Sequence, residues 1–212
     1  EAYMKKSYLT LAGSILVLSV HRGGAVEARP SSVAAADMTD QDLAKAAGAP
    51  LFEGMGSHNR KISTSSKGAN RYFNQGMVLA FGFNHAESIR SFRAAQRLDP
   101  ECAMCFWGEA LATGPNINVT SKGKAVMSEA ERKSAFAAIN RALALMDRAT
   151  PRERALIEAQ AKRYNGDPTT DRAPLDEAYA EAMGNVVAAY PEDDDAAAIF
   201  AEAWMNTMPW DY

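Results

Sequence analysis

The 212-residue sequence predicts an all-α fold of antiparallel helix hairpins packed one against the next, and three observations lead there. Alanine is the commonest residue, 41 of 212, and it is both the best helix former and a residue depleted from strands. From Ser66 onward a pattern of small and large side chains recurs three times. Between the recurrences stand glycines, prolines and hydroxyl caps, the residues that end one helix and begin another.

Composition also excludes some functions. A net charge of −3 does not suit a strongly basic nucleic-acid binder. Two cysteines and three histidines cannot build a zinc finger, a multi-histidine metal enzyme or a disulfide-rich scaffold.

Residues 1–28 read as an export signal with a short leader ahead of Met4. Met4-Lys5-Lys6 supplies the positive start, Tyr8 to Val20 the apolar run, and the small residues around Ala25 and Ala28 the cleavage sites. The run of 13 residues is shorter than the ~20 a membrane span needs, so no span is expected. Cleavage would also remove His21, leaving His58 and His85.

Residues 29–65 read as a linker and N-terminal extension. Thr39 ahead of Asp40 and Asp42, then Gly48 and Pro50, bracket one short helix. Residues 54–67 lack periodicity and are expected to be a loop or an extension lying on the domain behind it.

Residues 66–212 carry the hairpins. In the first, Tyr72, Gly76 and Leu79 are followed by Ser88, Phe92, Ala95 and Pro100. Small residues let the paired backbones approach, large ones fill the space beside them, and the proline ends the unit. The second half-pattern returns at Ala135, Ile139, Ala142 and Leu145, and again at Tyr179, Met183, Val186 and Pro191. Phe92 to Ile139 is 47 positions and Ile139 to Met183 is 44, against about 34 for an uninterrupted helix-pair repeat. Insertions therefore fall after Gly114-Pro115-Asn116 and around Asn165-Gly166-Asp167-Pro168. Ser128 with Glu131, and Thr150-Pro151 with Glu153, mark two helix starts by capping boxes. The third hairpin's second helix is expected over about 175–190, and a last helix over 196–206 has no partner after it. That unpaired helix suggests a chain that continues into further repeats.

These spacings resemble the tetratricopeptide repeat proteins over residues 66–212. More narrowly, Tyr72-Phe73-Asn74-Gln75-Gly76, Phe83-Asn84-His85-Ala86-Glu87, the run from Leu98 to Cys105, and Trp107-Gly108-Glu109 are similar to a group of exported bacterial members. Ala110 departs from the glycine usual there. The resemblance implies a right-handed superhelix of hairpins, a protein-binding groove and a periplasmic or extracellular location, with no established reaction.

Cys102-Ala-Met-Cys105 is the one chemically suggestive motif. Its spacing at a helix start allows a disulfide, two buried thiols, or metal and redox work; Phe106 stands where a haem-attachment motif would need histidine. His58 could join Cys102 and Cys105 as a third ligand. His85, a helix length of ~20 Å from Cys102, is expected to cap a turn or lie on the polar surface. The acidic run Glu192 to Asp195 is expected to cap a helix in solvent.

Asn70, Phe73, Met77 and Phe81 fall on one helical face, and Trp107 and Leu111 extend that stripe into the second hairpin. They are the expected anchors for a protein or peptide ligand. The leading functional expectation is a non-enzymatic scaffold needing no cofactor. The alternatives are a periplasmic metal- or thiol-handling module built on the cysteine pair, or the front part of an enzyme whose site lies further along the chain.

Overall fold

The computed structural model describes residues 38–118 and 127–208, and eight α-helices with one 3-10 turn make up their regular structure. The fold class is all-α, as expected. The expected signal and residues 29–37 of the expected linker and extension lie outside the described residues.

Local chemistry sets the helix boundaries. Helix α1 (Asp40–Ala47) starts where the Thr39 hydroxyl accepts the Asp42 N–H and stops at Gly48, whose φ of 62° is the left-handed cap that glycine tolerates. Ser66 caps α2 (Lys67–Phe81) and Asn84 caps α3 (His85–Leu98). Cys102 heads α4 (Ala103–Thr113), which ends at Gly114. Both expected capping boxes form, Ser128 with Glu131 for α5 (Glu129–Ala144) and Thr150 with Glu153 for α6 (Pro151–Ala161). The 3-10 turn Met146–Arg148 lies between them. Helix α7 (Arg172–Ala189) begins earlier than its apolar pattern suggested because Asp171 caps it, and Asp193 caps α8 (Asp194–Met205).

Each of the helices α2 to α8 packs against the next in chain order. Helices α2 and α3 run antiparallel: the Ser88 hydroxyl donates to the Gly76 carbonyl at 2.7 Å and the Gln75 amide to Ser91 at 3.0 Å. The Phe92 ring sits where Gly76 and Gly108 leave room, since a Cβ at either position would come within 2.8 and 2.2 Å of it. Phe73 meets Phe92 edge-on at 5.5 Å and lies 6.4 Å from Trp107, so these rings join α2, α3 and α4 into one core.

The later helices are tied by buried polar groups as well. Trp107 donates to the Leu156 carbonyl at 3.1 Å and the Tyr164 hydroxyl to that of Ala110 at 2.7 Å, fixing α4 against α6. Arg163, fully buried, donates to the Pro115 carbonyl at 2.8 Å and stacks 4.5 Å from the Tyr179 ring. Arg172 closes the α6–α7 connection by bonding the Arg163 carbonyl and Asp176.

Candidate functional site

Residues 50–66 decide what helices α2 and α8 can do. The segment has no helix of its own and lies along α2 as a strap, held by three side-chain amides. Asn74 accepts from the Arg60 N–H at 2.6 Å and donates back to the Arg60 carbonyl at 3.0 Å. Asn70 bonds the Ile62 N–H and the same carbonyl, while Gln75 accepts from the Phe52 N–H and donates to the Pro50 carbonyl. The strap then reaches α6, where Glu153 accepts the Ser63 N–H at 2.7 Å and its hydroxyl at 2.5 Å.

Its strongest hold is on α8. The Arg60 guanidinium meets Asp193 through both terminal nitrogens, at 2.6 and 2.7 Å, and Asp195 at 3.0 Å; His58 bonds Asp195 at 3.0 Å. Burial works against the Asp193 charge, but the Arg60 bonds, the Ala196 N–H and the nearby Arg152 outweigh it and hold the carboxyl below its usual range. The acidic run caps α8 as expected, with Glu192 and Asp194 exposed, but Asp193 is buried and Asp195 half-buried. Asp193 caps α8 and is buried against Arg60 because one carboxylate has oxygens enough for both.

Past the strap, α2 and α8 leave a cleft of about 350 Å³. Ala80, Phe81 and Phe83 form one wall, Ile199, Glu202 and Met205 the other, with Ile117 joining them. Phe81, Phe83 and Met205 are 40%, 52% and 42% exposed. Phe83 has a φ of 59°, the left-handed region, and its ring meets His85 edge-on at 5.9 Å. Burial pushes the Glu202 carboxyl up, with Arg163 and Asn206 opposing.

The sequence-derived residues distribute unevenly over this site. Phe73, Met77, Trp107 and Leu111 are buried in the core, because α2 and α4 have neighbours on more than one face. Asn70 holds an extended segment, but it is this chain's own. Phe81 alone of the stripe reaches the cleft, with His58 edge-on at 6.2 Å. Cys102 and Cys105 are joined in a buried disulfide with Cα atoms 5.4 Å apart, so neither sulfur is free to bind a metal, and His58 spends its bond on Asp195 instead of joining them. Among the described residues no group of three His, Cys, Asp or Glu side chains could hold a metal ion. His85 is the first residue of α3, and both its ring nitrogens are buried without a hydrogen bond, so Asn84 and not His85 caps the turn. Burial holds the imidazole below its ordinary value of 6.5.

Arg60, Asn74, Gln75, Asp193, Phe83, Ile199 and Met205 complete the site; the sequence marks Asn74, Gln75 and Phe83 only as carriers of the family resemblance and Asp193 only as part of a capping run, and it marks Arg60, Ile199 and Met205 not at all. Their common signal is weak: an arginine in an otherwise unpatterned segment, and an acid run far along the chain. No family model, no curated protein and no solved structure matches this chain, so the site is read from its own residues. No helix among the described residues is long and apolar enough to cross a membrane.

Proposed function

We propose that the chain is an exported, non-enzymatic scaffold of tetratricopeptide type that holds an apolar segment of a protein partner at the open end of its concave groove. In this reading α2, α4, α6 and α8 are the inner helices of a right-handed superhelix, and the strap fills the rest of the groove. The buried Cys102–Cys105 disulfide supports a location outside the cytoplasm, since such bonds persist in oxidising compartments.

The cleft between α2 and α8 carries the reading. A chain that buries Phe73, Phe92 and Trp107 completely leaves Phe81, Phe83 and Met205 half-exposed around one concavity. Phe83 is held there at a backbone cost of about 1–2 kcal/mol, with little burial in return. Aromatic and methionine side chains in a concave setting are adaptable anchors for a helix or an extended segment. The test is capture of a discrete partner from an extract of the source organism by the wild-type chain and by Phe81→Ser with Met205→Ser. Capture should disappear while far-UV circular dichroism stays unchanged; capture that survives the double substitution contradicts the reading.

A further inference from the structure

The strap is bound as a separate peptide would be. Three side-chain amides of α2 each pair with strap backbone as donor and as acceptor, at distances from 2.6 to 3.2 Å. Glu153 adds a carboxylate for one more backbone N–H. Contacts of this kind hold any extended segment, because every residue but proline offers the same N–H and C=O. Side-chain identity is read where Arg60 inserts. Its planar fork matches the Asp193 carboxylate bidentately, and a third bond goes to Asp195. Lysine could not reproduce that fork. None of these bonds requires that the strap be covalently joined to α2.

We infer that Asn70, Asn74, Glu153, Asp193 and Asp195 form a recognition site for an extended peptide segment bearing an arginine, and that residues 58–63 are its resident occupant, with Gln75 holding the chain just before it at Pro50 and Phe52. The site borders the open cleft where the His58 ring meets Phe81 edge-on at 6.2 Å, but none of its polar contacts is to Phe81, Phe83 or Met205. Its two demands are separable: a free main chain along α2, and a guanidinium two residues beyond the position of His58. Because the strap runs directly into α2, its effective concentration at the site is of millimolar order. A free peptide of the same chemistry therefore competes only when the strap's own side-chain hold is weakened.

The experiment uses a labelled peptide of residues 56–65 and fluorescence anisotropy. The receptors are the full wild-type chain and the full chain carrying His58→Ala with Arg60→Ala. The substituted chain should bind the peptide at least tenfold more tightly than wild type. Binding should vanish when the peptide's arginine becomes alanine, and again when Asp193→Asn is added to the receptor. Absence of binding to a substituted chain that keeps its helical signal overturns the inference, and so does equal binding to both receptors. Should the substituted chain lose its helices, native-state hydrogen exchange of the wild type decides. Arg60 and Ile62 amides that exchange faster than those of Phe73 and Met77 show a strap that leaves the site by itself, as the inference requires. Exchange only together with the α2 core overturns it.

Discussion

Helices α2 and α8 face each other twice and solve the encounter in opposite ways. Beside the first part of α8 the strap fills the space with a buried ion pair and side-chain amides, leaving His58 Nδ1 and Arg60 Nε as its buried polar atoms without a hydrogen bond. Beside the last part the space stays open, the walls are apolar, and half-exposed aromatics line it. The same pair of helices thus supplies a closed polar joint and an open apolar cleft. The joint fixes the distance between the two walls; the cleft is what that distance leaves available.

Substitutions should separate the two ends by what they cost. Arg60→Ala leaves the buried Asp193 carboxylate with only the Ala196 N–H and the more distant Arg152 and should destabilise the chain by about 3 kcal/mol, seen as a lowered urea midpoint; a change under about 1 kcal/mol would mean the joint carries no weight. At the open end Phe83→Gly relieves the left-handed strain and should raise stability by about 1 kcal/mol while partner capture falls. Loss of stability there would show that the ring is a packing element after all.

Phe81→Ser is expected to stay within about 1 kcal/mol of wild type, since its ring already meets solvent. A larger loss would make the cleft part of the core.

The rim of the open end also responds to pH. Burial keeps the folded His85 ring neutral below its ordinary value of 6.5, so the unfolded chain takes up the proton first as pH falls. His85 therefore contributes stability that is present above 6.5 and lost as pH falls through its lowered folded value. Urea midpoints should drop between neutral and mildly acidic pH in wild type and drop less in His85→Leu; equal slopes would place the sensitivity elsewhere.

The smallest effect belongs to the surface. Glu101→Gln removes a pair with Arg148 in which both side chains are mostly exposed, and should shift stability by well under 1 kcal/mol.

The helices were legible because their signals are local. Thr39, Ser128, Thr150 and Gly48 act within one turn, and Gly76 with Phe92 announces a close helix pair within 16 residues. The strap was not legible, since its bonds to α8 join residues 133 and 137 positions apart and an extended segment leaves no period to read. The stripe of Asn70, Phe73, Met77 and Phe81 was correctly placed on one face of α2. Which neighbour covers that face was a question of tertiary packing: strap and core cover all but Phe81. The Arg60–Asp193 bond also shows why the acid run looked like a plain cap, because capping was half of its role.

With the strap seated, a partner is expected to meet this chain at the open end of the cleft and not along the strap. A photo-reactive benzoylphenylalanine placed at Phe83 or at Phe52, in turn, tests it in extracts of the source organism, since both side chains are exposed and they line different cavities. Covalent capture of one discrete protein from position 83 and not from position 52 is the predicted result. Capture from position 52 alone, or equally from both, would contradict it.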